Sequence, residues 1–290
     1  QIEFVEIPKR LYFQVNQALD AACIRPVQEG YFPGAVQTGN TVGDVPGQTI
    51  GNITENQQGL SGQGVLVGIV DSGVDWQHPD FCNKDGTSRI LRLWDQSLLA
   101  KPGEDPPEGY AAGVEYTKTD IDRALRLSGA EGKQIVREQD FSGHGTSVLG
   151  IAAGNGRASG GVNRGAAYAS DIIAVKMGIP GENSFPRTAE LMQGVDYLVR
   201  QAAELGRPMA VNISFGNNYG SHRGDSLLET YLSNVSDAGR TVICVGTGNN
   251  GNDSVHTAGI LETGMQAEIP FSVSPREPVL NVQPVSYTHL

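Results

Sequence analysis

The stretch GVLVGIVD, residues 64–71, is apolar on both of the faces that a strand presents and ends in an aspartate. A strand of this kind is typical of the centre of a parallel sheet that helices cover on both sides. In open α/β sheets, ligand-binding and catalytic groups collect at the carboxyl ends of such strands. The stretch therefore predicts a central strand that delivers Asp71 to the functional edge of a sheet.

Apolar strands and amphipathic helices alternate downstream of this stretch. Three further strands are predicted at Asp171–Met177, Pro208–Phe215 and Thr241–Gly246, and helices at Arg187–Leu205 and Ser226–Ala238 separate them. This alternation indicates an α/β fold with a doubly wound, mostly parallel sheet and helices on both of its faces.

Two segments depart from the alternation. Residues 82–139 form an insertion, in which Arg89–Asp95 predicts a strand and Thr119 the N-cap of a short helix, with Asp122 in a capping-box position. From Met265 onward, alternating apolar and polar residues predict antiparallel edge strands. We expect the fold to be incomplete at the C-terminus.

Composition narrows the class of protein and its partners. The chain has 290 residues, of which 39% are hydrophobic and 18% charged, as in globular proteins. Its formal net charge of −11 argues against binding to nucleic acid or to an anionic membrane surface. No stretch approaches the roughly 20 apolar residues that span a membrane. We expect neither nucleic acid nor membrane as a partner.

The three cysteines, Cys23, Cys82 and Cys244, are odd in number and far apart. Their spacing fits neither a disulfide framework nor a zinc site. Cys244 lies inside an apolar run, so it is predicted to be a buried free thiol.

A histidine between two glycines, His144, precedes a run of small apolar residues that ends near Gly154. The run predicts the start of a buried helix, with Thr146 or Ser147 as its cap. A single histidine in such a place is more often a packed structural residue than a catalytic one. A carboxylate at the end of a predicted strand, that of Asp71, makes a catalytic role for His144 more favourable.

Asp71, His144 and Asn249 all stand at predicted strand or loop ends. Nucleophilic cleavage of an amide needs a base for a hydroxyl, an acid that orients the base, and donors for the oxyanion. Asp71 is suited to accept from one ring nitrogen of His144 and Asn249 to donate to an oxyanion. Taken alone, an asparagine in a glycine-flanked turn more often serves left-handed backbone geometry.

Four segments resemble, in chain order, the motifs of the subtilisin-like serine peptidases. They are the aspartate motif at 67–75 with 78–81, the histidine motif at 142–148 with 150–153, the substrate-binding strand at 212–216, and the oxyanion loop at 246–251. In this family the catalytic aspartate precedes the histidine in the chain, and the two motifs have the same order here. Together the segments cover roughly residues 60–252, which makes the resemblance far more specific than any single motif.

The resemblance implies a role for each matching residue. Asp71 orients the base, His144 is the general base and Asn249 donates to the oxyanion. The strand formed by Ser214, Phe215 and Gly216 pairs with the backbone of an extended polypeptide substrate, as in β-augmentation.

Within the family, the insertion and the loop at 155–157 are most similar to the clostridial spore-germination subtilases. In that group, residues such as those at 8–13 resemble the end of an inhibitory propeptide. We therefore interpret residues 1–22 as a propeptide remnant, able to act as the peptidase's own inhibitor; an ordinary first strand is the alternative. Residues 23–283 are then the peptidase domain, and 284–290 are an irregular or artefactual tail. The resemblance implies a bacterial protein that is secreted or associated with the cell or spore, although no signal peptide is visible from Gln1 onward.

The family's serine lies in a Gly-Thr-Ser-Met/Ala motif at a helix start, downstream of the oxyanion asparagine. The only Gly-Thr-Ser here, residues 145–147, belongs to the histidine motif. The serines beyond Asn249 all lie in loop or strand contexts: Ser254, Ser272, Ser274 and Ser286. We expect the 290-residue chain to stop before its serine and to be inactive. The alternative is a pseudoprotease that binds a peptide or protein partner without cutting it.

Asp80 is the candidate metal ligand, because its position corresponds to a calcium ligand in some subtilases. Calcium requires six to eight oxygen ligands, and the nearby loop at 154–163 lacks an obvious set of carboxylates. We therefore expect no cofactor, and interpret Asp80 as a turn or capping residue.

Overall fold

A computed structural model describes residues 19–29, 59–127, 129–181, 187–216, 223–249, 257 and 259–273. Six strands form one sheet: β1 (Leu66–Asp71), β2 (Ile90–Asp95), β3 (Val114–Thr117), β4 (Asp171–Lys176), β5 (Met209–Ile213) and β6 (Thr241–Val245). Their order is β3-β2-β4-β1-β5-β6. All neighbours are parallel except β2 and β3, which are antiparallel. The α/β fold with a mostly parallel sheet is confirmed, and the strand at 64–71 lies inside it.

Helices cover both faces of the sheet. They are α1 (Ile24–Gln28), α2 (Lys118–Leu125), α3 (Gly129–Ile135), α4 (His144–Ala153), α5 (Thr188–Glu204) and α6 (Leu227–Asp237), with 3₁₀ turns at Pro79–Phe81 and Arg157–Ser159. Val67 and Ile69 of β1 join one core cluster with residues of α2 and α4, while Leu66 and Val70 join a second cluster with residues of α5. Successive side chains of β1 thus pack into two different cores, one on each face of the sheet, as predicted from the apolar run at 64–71.

The insertion contains elements that the sequence did not reveal, together with one corrected cap. Strand β3 adds an antiparallel edge to the sheet, and α3 follows α2. Helix α2 is capped by Thr117, whose capping box uses Asp120, so the prediction of Thr119 with Asp122 was wrong. The chain enters α2 directly from β3, which ends at Thr117, and Asp122 instead accepts from the backbone N–H of Ser88.

The region around β6 also differs from expectation. No described residue between 265 and 273 lies in a strand, so the predicted edge strands do not form there. Cys244 is exposed rather than buried, because among the described residues β6 lies at the edge of the sheet and pairs with β5 alone. The predicted propeptide remnant, apart from residues 19–22, and the tail at 284–290 lie outside the described residues. In the part of the chain that is described, no helix has the length and apolarity to cross a membrane.

Candidate active site

Asp71 and His144 meet where a strand ends and a helix begins. Nδ1 of His144, the first residue of α4, lies 2.7 Å from Oδ1 of Asp71, the last residue of β1. The Asp71 side chain is 1% exposed and the His144 side chain is 50% exposed. A carboxylate at Nδ1 favours the tautomer with the proton on that nitrogen and leaves the lone pair on Nε2. The arrangement can hold an oriented, solvent-facing base.

The Asp71 carboxylate is only partly satisfied. Its Oδ1 also accepts from the backbone N–H of Ser72 at 2.7 Å. Its Oδ2 is buried and has no hydrogen-bond partner among the described residues. A buried charge of this kind is stabilised by a nearby positive charge, and an imidazolium at His144 would supply it.

Glycines allow α4 to approach Asp71 closely. A Cβ on Gly145 would lie 2.1 Å from the carbonyl oxygen of Gly73 and 3.1 Å from Cβ of Asp71. Gly143, the N-cap of α4, has a φ of 72°, in the left-handed region that favours glycine. The two glycines that flank His144 therefore place its backbone against the turn that follows Asp71.

The predicted caps of this helix, Thr146 and Ser147, were wrong. The helix begins at His144, so both hydroxyls lie within its first turn. Ser147 Oγ donates to the carbonyl of Gly143, and Thr146 Oγ1 donates to Asp140. Gly143 is the N-cap and has no side chain to accept these bonds; the carboxylate of Asp140, which precedes the helix, accepts from the backbone N–H groups of Gly143 and Thr146 instead.

Two further acids, Glu138 and Asp95, are buried near the turn that follows Asp71. Glu138 is fully buried, and its Oε1 accepts from the backbone N–H of Val74 at 3.1 Å. Burial, reinforced by the nearby Asp95, raises the pKa of Glu138 to about 8. Burial also raises the pKa of Asp95, whose Oδ2 lies 3.8 Å from Nζ of Lys176. Burial therefore favours the neutral form of the Glu138 carboxyl.

Sequence reasoning assigned no role to Asp140 or Glu138. Asp140 stands four residues before His144, and a serine follows Asp71 directly. These two polar residues, Asp140 and Ser72, were the only local signal of a network around the pair. The hydrogen bond between them joins segments that are distant in the chain. That pairing is visible only in the folded structure.

The remaining predicted site residues lie along the same edge of the sheet. Ser214–Gly216 follow β5, and Ser214 Oγ accepts from Nδ2 of Asn212 at 2.9 Å. Asn249 follows β6 and is exposed. Because β1, β5 and β6 are parallel, these residues lie beyond the same ends of the strands as Asp71. Within the described residues, Asn249 makes no hydrogen bond to Asp71 or His144.

Asp80 lies in the 3₁₀ turn at Pro79–Phe81. Its Oδ1 accepts from the backbone N–H of Ala158 at 2.7 Å, which ties this turn to the one at Arg157–Ser159. Across the described ranges, no three His, Cys, Asp or Glu side chains are grouped as metal ligands. Asp80 thus makes the kind of contact expected of a turn residue, and the expected absence of a calcium site stays a prediction.

Comparison with known proteins adds independent observations. Residues 62–274 match the subtilase family. The subtilisin-like protease PopC of Myxococcus xanthus is 26% identical over 210 residues, which cover 68% of this chain and 36% of that protein. The serine protease AprX of Bacillus subtilis is 26% identical over 207 residues, covering 70% of this chain and 37% of that protein.

Among solved structures, the CspB protease of Clostridium perfringens is similar in fold and sequence. It is 37% identical with a TM-score of 0.57, and the match covers 67% of this chain and 37% of that one. The chain therefore spans little more than a third of the length of these relatives.

Proposed function

Because the chain belongs to the subtilase family, we propose that it carries the aspartate–histidine half of a serine-type endopeptidase site. The observation that supports this most strongly is the pair of Asp71 Oδ1 and His144 Nδ1, 2.7 Å apart at the carboxyl end of a central strand. The half-exposed imidazole has its second nitrogen available for a substrate or nucleophile.

Each residue has a definite task in this proposal. Asp71 fixes the His144 tautomer and stabilises the imidazolium that forms when Nε2 takes a proton from a nucleophilic hydroxyl. Asn249 donates from its side-chain amide to the oxyanion of the tetrahedral intermediate. Ser214–Gly216 pair with the backbone of an extended polypeptide substrate and align its scissile bond.

The 290 residues hold no serine in the setting that the family uses for its nucleophile. We therefore propose that this chain, as it stands, does not cleave peptides. Loss of one triad member lowers kcat by several orders of magnitude, because the three residues act as a unit.

Three finer features belong to the same proposal, of which the propeptide and the location rest on the resemblance. Residues 1–22 are a propeptide remnant that inhibits the peptidase. Asp80 is a turn residue, and the protein works without a cofactor. The protein is secreted, or associated with the cell or spore, in a bacterium.

A fluorophosphonate probe, which reacts with an activated serine, tests the proposal on the 290-residue chain. We expect no labelling. Labelling that His144→Ala abolishes would contradict the proposed inactivity.

A second test of the proposal is to read the coding sequence beyond residue 290. We expect an in-frame Gly-Thr-Ser-Met/Ala helix start, and we expect the extended chain to hydrolyse a protein substrate. In that chain Asp71→Asn should lower kcat by about 10⁴, while Asp85→Asn, at an exposed aspartate in a separate loop, should keep most of the activity. A substituted serine would instead favour the binding pseudoprotease.

A further inference from the structure

Asp140 is a hub of hydrogen bonds beside the Asp71–His144 pair. It is half-buried, and both of its carboxylate oxygens accept from more than one donor. Oδ1 accepts from Ser72 Oγ at 2.8 Å and from the backbone N–H of Gly143 at 2.9 Å. Oδ2 accepts from the backbone N–H and the hydroxyl of Thr146, at 2.9 and 2.6 Å. All of these partners donate, so the site fits a group that only accepts.

The first bridge to the Asp71 turn runs through Ser72. While Ser72 Oγ donates to Asp140, it accepts from the backbone N–H of Gly145 at 3.0 Å and from Ser142 Oγ at 2.8 Å. Ser142 Oγ in turn accepts from the backbone N–H of His144 at 3.1 Å. Ser72 is thereby bonded to Gly145, the residue after His144, and to Ser142, two residues before it.

The second bridge runs through the other oxygen of the same carboxylate. Thr146 Oγ1 donates to Asp140 Oδ2 and accepts from the backbone N–H of Asp75 at 2.8 Å. Asp140 is therefore connected to the Asp71 turn at two points, Ser72 and Asp75, and to α4 at two points, Gly143 and Thr146. Two connections to each segment fix both the distance and the relative rotation of the two segments.

Charge also contributes to the strength of this hub. Burial alone would raise the pKa of Asp140, but the bonds from Thr146, Ser72 and Gly143 outweigh that effect and hold the pKa below its usual value. Hydrogen bonds to an ionised carboxylate are roughly twice as strong as neutral ones. The ionised form is thus present throughout the neutral range, where a histidine base works.

We propose that Asp140 is a positioning residue: its ionised carboxylate sets the geometry in which His144 Nδ1 lies against Asp71 Oδ1. This role rests on the function proposed for that pair. Asp140 itself does not touch the reacting atoms, and acts by joining the turn after Asp71 to the first turn of α4.

The test is NMR spectroscopy of the 290-residue chain labelled with ¹⁵N-histidine. The wild-type chain should show an Nδ1–H resonance of His144 that exchanges slowly with solvent, assigned by its disappearance in His144→Gln. In Asp140→Asn, an amide N–H group faces some of the donors, so that exchange should become about tenfold faster. Asp85→Asn is the matched control, because Asp85 accepts from the backbone and hydroxyl of Thr87 in a distant loop.

Milder variants keep the test decisive if Asp140→Asn does not fold. Ser72→Ala removes one bridge and Thr146→Val the other, and each should speed exchange by a smaller factor. Thr146→Ser, which keeps the hydroxyl, should restore the wild-type rate. Unchanged exchange in a folded Asp140→Asn variant, or in both bridge variants, would overturn the proposal.

The wild-type spectrum distinguishes this proposal from the one on which it rests. If the wild-type chain lacks the protected Nδ1–H resonance, the Asp71–His144 pair itself fails and takes both proposals with it. If the resonance is present and Asp140→Asn leaves it unchanged, only the role of Asp140 fails.

Discussion

Strands β1 and β6 belong to one parallel sheet, and a predicted site residue lies at or just after the end of each, yet their surroundings differ. Every residue of β1 is buried. In β6 only Thr241 is buried, and Val242 and Val245 are 63% and 52% exposed. Strand β1 lies between β4 and β5 and carries helices on both faces, whereas β6 has a neighbour on one side.

The two halves of the candidate site differ in the same way. On the β1 side, Asp71 is buried, His144 is half-exposed, and hydrogen bonds of Asp140 join the segments that carry them. On the β6 side, Asn249 is exposed, and apolar side chains such as Ile260 and Phe271 are exposed as well. An apolar run therefore predicts a strand, but the neighbours that cover it decide whether that strand is buried.

The largest difference between the two sides should appear on truncation of a side chain. Ile69→Ala in β1 should lower the free energy of unfolding by about 3–4 kcal/mol, because it leaves a cavity in a packed core. Val245→Ala in β6 should change it by less than about 0.5 kcal/mol. Urea unfolding measures both, and equal losses would remove the distinction between the two strands.

The buried acid on the β1 side should make stability depend on pH. The pKa of Glu138 is about 8 in the folded chain, above its ordinary value of 4.5, so the folded state binds the extra proton between these values. Stability from this group is fully present below about pH 4.5 and is lost as the pH rises to about 8. From pH 5 to 8, the wild-type chain should lose roughly 3 kcal/mol more than Glu138→Gln.

Unfolding by urea at several pH values tests this expectation. Glu108→Gln, at an exposed position, is the control and should follow the wild-type profile. Parallel curves for the wild-type chain and Glu138→Gln would show that Glu138 does not keep its proton.

The reactivity of the native cysteines measures the same difference in burial without a substitution in either strand. Cys82 is buried, and burial raises the pKa of its thiol, although Arg157 partly offsets this; Cys244 in β6 is exposed. In a Cys23→Ser background, a thiol reagent should modify Cys244 at least about 100-fold faster than Cys82. Comparable rates would mean that the β1 side opens as readily as β6.

The smallest effect concerns two glycines of one helix, α4. Gly145→Ala places a Cβ against the carbonyl of Gly73 and should cost about 2 kcal/mol of stability. Gly150→Ala meets open space and should gain about 0.5–1 kcal/mol, because alanine favours the helix. Thermal unfolding compares them, and a stable Gly145→Ala variant would show that α4 can move away from Asp71.

Parts of the fold with strong local patterns could be predicted from the sequence. The run at 64–71 identified β1, and the helical spacing at Arg187–Leu205 identified α5. The cap of α2 could not be predicted, because Thr-x-x-Asp occurs twice in succession, at Thr117 and Thr119. Only the path of β3 into the helix decides between the two.

The candidate site divides in the same way. Asp71 and His144 stand in short motifs with fixed spacing, so the sequence and its family resemblance indicated them. Asp140 and Glu138 act through bonds to residues more distant in the chain, Ser72 and Val74, and no local pattern records such partners. The exposure of Cys244 was missed for a related reason: burial depends on which strand lies at the edge.

The position of β1 in the sheet has a consequence for how the chain folds. Both of its neighbours come much later in the sequence, since β4 begins at Asp171 and β5 at Met209. Pairings between such distant segments are slow to form, because a long loop must close first. During synthesis, the strand that ends in Asp71 leaves the ribosome well before either neighbour. We expect the Asp71–His144 pair to form late in folding, after β1 has paired with these neighbours.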